Sequence, residues 1–148
     1  MRLITEQMKK LIEQQKLGYV ATVSPDNTPN LSPKGTIKLW GDDQLIFADI
    51  KSPKTMSNLE KNPSIEINII NPIARRGFRF KGIAKIISEG EEYEKIISQY
   101  KEDGIKSTIN RVVMIKIKTA SEVTSPLYDL GYTEEEIKSK WKKHYLSF

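Results

Sequence analysis

The chain has 148 residues, 24 basic and 19 acidic side chains, no Cys and one His, giving a formal net charge of +5. That length fits one domain with a core of its own, and the missing Cys excludes disulfides, thiolate zinc sites, Fe–S clusters and thiol chemistry. A single imidazole, His144, excludes His-rich metal sites, and no metal ligand set is expected. The N-terminal MRLITEQMKKLIEQQ is charged too early for a signal peptide, and no apolar run nears the roughly 20 residues of a membrane span. A cytoplasmic protein without membrane contact is therefore expected. Residues 1–74 carry nine basic and eight acidic side chains; residues 75–148 carry fifteen and eleven. The excess concentrates in two acid-free stretches, Arg75 to Lys85 and Lys138 to His144, each read either as a solvated face or as a contact for an anionic partner.

Ile4, Met8, Leu11 and Ile12 recur at helical spacing, which predicts a first helix over 5–15, ended near Gly18. GYVATVS, bounded by Pro25, Asp26 and Asn27, is a strand. An extended segment runs from Thr28 to Trp40, interrupted at Ser32-Pro33-Lys34-Gly35, and Gly41-Asp42-Asp43 turns into a strand over Gln44 to Asp49. In KSPKTMSNLEKNP, Ser52 caps a short helix with Pro53 at its first position, Met56 and Leu59 form its buried stripe, and Asn62-Pro63 stop it. SIEINII alternates, with Ile65, Ile67 and Ile69 on one face. From Arg76 to Ile87, Phe78, Phe80, Gly82, Ala84 and Ile86 share one face, and Arg79, Lys81, Ile83 and Lys85 the other. Ser88 and Glu91 have capping-box spacing ahead of a helix carrying Tyr93, Ile96, Ile97 and Tyr100. VVMIKIK turns Val113, Ile115 and Ile117 inward, and Thr133 with Glu136 caps a terminal helix, about 133–146, striped by Ile137, Trp141 and Tyr145. Strands following one another through tight turns predict a mainly β fold, an antiparallel sheet or barrel of about six strands with peripheral helices, in one domain spanning 1–148.

Lys51-Ser52-Pro53-Lys54-Thr55 places two lysines and two hydroxyls at a helix N-terminus. Unpaired N–H groups, the positive end of the helix dipole and ammonium groups together suit a phosphate, although an ordinary capped helix has the same spacing. Ser32-Pro33-Lys34-Gly35 predicts a bulge or kink where Gly35 admits a flat ligand and Lys34 meets a ligand oxygen, or a plain bulge. Arg75, Arg76, Arg79, Lys81 and Lys85 interleave with Phe78 and Phe80, but the alternation puts the rings opposite the cations, so the phenylalanines are read as core rather than as a nucleic-acid stacking platform. His144 is read as a surface or packing residue, with catalysis or haem ligation as the other reading. Asp49 is read as a turn residue or as one that orients a ligand. No P-loop, paired-carboxylate motif or serine elbow is present.

In order, a helix, LGYVATVSPDNTPNLSPKGT, LIFADIKSPKTMSNLEKNPSIEINI and FRFKGIAKII resemble the FMN-binding split-barrel family related to pyridoxamine 5'-phosphate oxidase, over roughly residues 5–120. The most specific part is the strand–KSPKTMSNLEKNP–strand block, similar to the family's K-T-x-x-N-L-x-x-N-P stretch, and Lys81 to Ala84 supplies a KG-x-A element. The resemblance implies a six-stranded antiparallel, Greek-key-like barrel that dimerises with one FMN in each of two interface clefts. It places Lys51, Ser52, Lys54, Thr55 and Asn58 at the flavin phosphate. Ser32, Pro33, Lys34, Gly35 and Thr36 would lie along the isoalloxazine, and Phe47, Ala48, Asp49 and Ile50 along the ribityl chain. The ending SKWKKHYLSF lacks the family's C-terminal arginine- and histidine-rich segment, so oxidation of vitamin B6 is not carried over. The expectation is a homodimeric FMN-dependent oxidoreductase of unidentified small substrate, with no catalytic residue named. The alternatives are a reductase using deazaflavin F420, a flavin carrier or redox sensor without turnover, and a single-stranded nucleic-acid-binding barrel, for which a nucleic-acid partner is not expected.

Overall fold

The computed structural model describes residues 3–148. The element order is α1 (Glu6–Gln15), β1 (Gly18–Val23), β2 (Pro29–Lys34), β3 (Lys38–Trp40), β4 (Gln44–Asp49), α2 (Pro53–Lys61), β5 (Ser64–Asn71), β6 (Arg76–Ile87), α3 (Glu91–Glu102), β7 (Arg111–Thr124), a 3-10 turn at Pro126–Tyr128 and α4 (Glu134–Tyr145). All strands pair antiparallel in one sheet, in the order β2-β1-β5-β6-β7-β4-β3. This is the expected β fold with peripheral helices, with seven strands rather than six. The extra one arises because the Thr28–Trp40 segment divides into β2 and β3. The break falls at Gly35-Thr36-Ile37, after the expected Ser32-Pro33-Lys34-Gly35 interruption, and β2 runs straight through Pro33. An edge strand tolerates a proline because its outer N–H has no ladder partner to lose.

The sheet has two apolar sides. Val20, Leu45, Phe47, Ile67, Phe80, Val113 and Ile115 form the main core, closed by Met8, Leu11 and Ile12 of α1 and by Met56 and Leu59 of α2. On the reverse side Ile46, Ala48 and Val112 pack under Ile96 and Tyr100 of α3. The alternation along β4 therefore feeds both cores, which is why all but one of its side chains are buried. Phe80 is fully buried and Phe78 packs against the same core, so the phenylalanines do not form a stacking platform.

Gly82 sits at a β-bulge, where the β6–β7 register shifts between Lys81 and Gly82 and Lys118 is the extra residue. A Cβ at Gly82 would lie 2.3 Å from the Lys116 carbonyl oxygen, so only glycine fits in the KG-x-A element. Two helix starts behave differently. Thr133 and Glu136 form the reciprocal capping box at α4. Ser88 and Glu91 do not: α3 starts from Gly90 at φ 102°, with no side-chain cap. Among the described residues no helix is long and apolar enough to cross a membrane.

Candidate functional site

Lys34, Asp49, Ser52, Thr55 and Asn58, the buried polar members of the predicted set, lie at the end of β2, the end of β4 and the first turns of α2. Lys34, last in β2, is only 9% exposed. Its Nζ donates to Ser32 Oγ at 2.9 Å, and it has no carboxylate partner within ion-pair distance among the described residues. A protonated amine has three N–H groups, so two remain for something else. Burial pulls the Lys34 amine below its usual range, and the field of Asp49 partly opposes this. Gly35 shows no close approach: a Cβ there would find only the Lys16 carbonyl oxygen, at an ordinary 3.6 Å. The expected bulge is thus a simple strand end.

Asp49 ends β4 and is also buried. Its carboxylate accepts from the Ser52 hydroxyl at 3.4 Å and faces Arg111 Nε at 3.6 Å. Arg111 in turn donates to Glu60 of α2 at 2.7 Å, and that bond raises its pKa. Asp49, Lys51, Ser52, Ser57, Glu60 and Arg111 line an open cleft of about 500 Å³. Its positive and negative groups balance, so the cleft itself does not concentrate anions. Arg111, Glu60 and Asn110 were not foreseen. Arg111 reaches Asp49 through the β4–β7 register, Asp49 opposite Arg111, a pairing that no local pattern announces.

At the start of α2, Ser52 makes no side-chain cap. The first backbone bond into the helix is Met56 N–H to Ser52 C=O at 3.0 Å. The N–H groups of Lys54 and Thr55 have no acceptor among the described residues, as the first turn of a helix requires. The ammonium groups of Lys51 and Lys54 stand exposed beside them. On the inner side Thr55 and Asn58 are both 1% exposed. Asn58 Nδ2 donates to Thr22 Oγ1 at 3.0 Å and Ser24 Oγ at 3.3 Å, while Asn58 Oδ1 is buried with no donor. Asn30 Nδ2 donates to Thr55 Oγ1 at 3.4 Å. This polar seam ties α2 to the β1–β2 hairpin.

Not every predicted residue faces this corner. Phe47 packs in the main core and Ala48 in the reverse core. Thr36 is held from both sides: its hydroxyl accepts from Ala48 N–H at 3.0 Å and its carbonyl accepts from the Tyr100 hydroxyl at 2.7 Å. Burial drives the Tyr100 phenol far above its ordinary range, so it stays a neutral donor. Ile50 is half-buried, and Pro33 is exposed on the edge strand. His144 lies away from the corner, on the exposed end of α4, among Trp141, Tyr145 and Phe148 with centroids 5.2–5.4 Å apart for Trp141, Tyr145 and Phe148.

The groups at the corner suit a flavin nucleotide: free N–H groups and two ammonium groups for a phosphate, and a buried donor with spare hydrogens for a ring oxygen. Residues 4–124 match the family model described as pyridoxamine 5'-phosphate oxidase. No curated protein matches the chain significantly. Among solved structures the chain is similar to HupZ of Group A Streptococcus, with 34% identity and a TM-score of 0.75 over 82% of this chain and 95% of that one. It shares its fold with an FMN-binding protein from Syntrophomonas wolfei, at 19% identity and a TM-score of 0.69 over 81% and 86% of the two chains. It shares it also with HutZ, the heme storage protein from Vibrio cholerae, at 20% identity and a TM-score of 0.65 over 84% and 95%. With four-fifths of its length inside that family's pattern, from the buried Ile4 just before α1 to the end of β7, the chain belongs to the pyridoxamine 5'-phosphate oxidase family.

Proposed function

We propose that the chain is a cytoplasmic, homodimeric flavin-dependent oxidoreductase that binds FMN at the corner of β2, β4 and α2 and acts on a small substrate. The observation that carries this reading is Lys34: a largely buried side chain whose ammonium has one hydroxyl partner and lies in the field of Asp49, which itself bonds to the start of α2. A partly desolvated cation with two donors to spare is favoured where a ligand oxygen completes it. In this reading Lys51, Ser52, Lys54, Thr55 and Asn58 hold and orient the phosphate end, and Ser32, Pro33, Lys34, Gly35 and Thr36 border the ring. Phe47, Ala48, Asp49 and Ile50 border the ribityl chain, where the side chains of Phe47 and Ala48 are committed to packing and the strand's backbone is what remains to contact it. When bound, the flavin supplies hydride or electron transfer, and Lys34 stabilises negative charge at a ring oxygen. No side chain at the corner is placed as a proton donor or acceptor for a substrate.

The dimer has support in an uncovered sheet face. Cross-strand register puts Leu31, Ala21, Glu66 and Lys81 in one row, with Tyr19 and Ile83 two residues along their strands on the same face. Leu31, Tyr19 and Ile83 are 67%, 43% and 42% exposed. A second copy covering this face would bury them beside the edge of the site.

The reading is tested by titrating FMN and riboflavin into the protein. Lys54→Ala should weaken FMN about tenfold and leave riboflavin nearly unchanged, since only FMN presents the phosphate. Equal losses would remove the phosphate assignment, and no binding of either would remove the flavin. Competition between FMN and F420 separates the deazaflavin alternative, and turnover with NAD(P)H and an acceptor separates an enzyme from a carrier. A second reading, heme binding, rests on His144: it is the only imidazole, exposed, and framed by three aromatic rings. A Soret band on adding hemin that His144→Ala abolishes would favour it over the flavin.

A further inference from the structure

Outside this corner, one contact leaves polar groups unexplained. Arg75 sits in the β5–β6 turn at φ 55°, a left-handed conformation uncommon for a long side chain. Its guanidinium carbon lies 3.5 Å over the Trp141 ring and 5.9 Å from the Tyr145 centroid. Arg75 Nε and Trp141 Nε1 are both shut off from solvent, and neither has an acceptor. Both side chains are donors only, so neither can satisfy the other. The guanidinium makes no ion pair among the described residues, unlike its neighbour Arg76, which pairs with Glu122 and Glu134. The strained turn is nevertheless held firmly: Ser125 N–H donates to Arg75 C=O at 2.9 Å and the Tyr128 hydroxyl to Ala74 C=O at 2.6 Å.

Beside this stack runs a groove of about 780 Å³ between the β5–β6 turn and α4. Tyr145 belongs to both. Ile73, Tyr145 and Leu146 give it apolar walls, Lys138 and Lys142 stand on its rim, and Glu135 is its one carboxylate. Neither Arg75 nor Trp141 lines the groove, but Tyr145 joins it to their stack, and a guanidinium without an ion-pair partner among the described residues beside an apolar, basic-rimmed groove calls for a planar anion carried on an apolar body.

We infer that the Arg75–Trp141 stack and the adjoining α4 groove form a binding site for a small molecule that bears a carboxylate on an apolar chain or ring. Arg75 takes the carboxylate through its terminal Nη groups, Nε being shut off, and Ile73, Tyr145 and Leu146 cover the apolar part. The site does not depend on the flavin corner or on His144.

Decanoate serves as the probe, read by Trp141 emission in a Trp40→Phe background that leaves one indole. Saturable binding is expected. Arg75→Ala should weaken it at least tenfold, and Arg75→Lys, which keeps the charge without the fork, should weaken it several-fold. Methyl decanoate, without the charge, should bind at least tenfold more weakly than decanoate. FMN affinity should stay the same in both variants, which keeps a failure here distinct from a failure of the flavin reading. Absence of a saturable change, equal binding of ester and acid, or Arg75→Lys at full affinity with Arg75→Ala equally unaffected would each overturn the site. Circular dichroism of α4 in Arg75→Lys shows whether a loss reflects the fork or the helix.

Discussion

The two ends of the molecule that carry lysines are built on opposite terms. At the α2 corner the polar groups are inside: Lys34, Asp49, Ser52, Thr55 and Asn58 are all at least nine-tenths buried, wedged between strands whose apolar faces are committed to the core. At α4 the polar groups are outside: Lys138, Lys140, Lys142 and Lys143 are exposed, and Ile137 is the helix's one buried side chain. Polar and charged groups thus do different work in the two places. Buried polar groups hold a fixed geometry at an energetic cost, while exposed ones leave a helix free to detach from the fold that carries it.

The sharpest way to break this contrast is a matched pair of truncations. Leu59→Ala in α2 should lower global stability by about 2–5 kcal/mol, because it opens a cavity in the main core. Ile137→Ala in α4 should leave denaturant unfolding of the sheet nearly unchanged and instead speed amide exchange along α4. Comparable global losses from both would mean that α4 is part of the cooperative unit. Next comes Lys34→Met. Folding lowers the proton affinity of this amine, so the unfolded chain binds more protons and native stability rises as pH climbs through the folded pKa toward the usual lysine value. The Met variant should lose that rise and, without ligand, melt above the parent at neutral pH, while binding FMN more weakly. A lower melting temperature in the absence of ligand would show that Lys34 stabilises the fold itself. The smallest effect is at Asp103, whose carboxyl is held below its ordinary range chiefly by the Lys38 ammonium at 2.6 Å. That contribution is present above the usual carboxylate pKa and fades as pH falls through the lowered one. Lys38→Ala should cost at most about 1 kcal/mol at pH 7, and less as the pH falls through the lowered carboxyl pKa.

Local chemistry carried most of the fold. The periodicity at Met8, Leu11 and Ile12, the Pro53 helix start and the Thr133 capping box each depend on neighbours in sequence, and each formed. The lysines and hydroxyls at the start of α2 were legible for the same reason, since they lie within five residues. What escaped was set by distant strands. Arg111 meets Asp49 only because β7 pairs with β4, and the stack on Trp141 exists only because a turn tens of residues earlier holds Arg75 beneath α4. Three local signals also misled. Ser52 makes no side-chain cap on α2. Gly90 at positive φ displaced the Ser88 cap, and the proline in β2 marked an edge strand rather than a kink.

The position of β4 has a cost during synthesis. Leu45, Ile46, Phe47 and Ala48 are apolar on both faces, and only β3 is at hand to pair with them when they emerge from the ribosome. Their other neighbour begins at Arg111, opposite Asp49 and roughly sixty residues later, several seconds at ordinary elongation rates. For that interval the strand is an apolar segment with an open edge, the kind of segment chaperones bind and aggregates recruit. Yield in the cell is therefore expected to depend less on the finished protein's stability than on how β4 is shielded until β7 arrives.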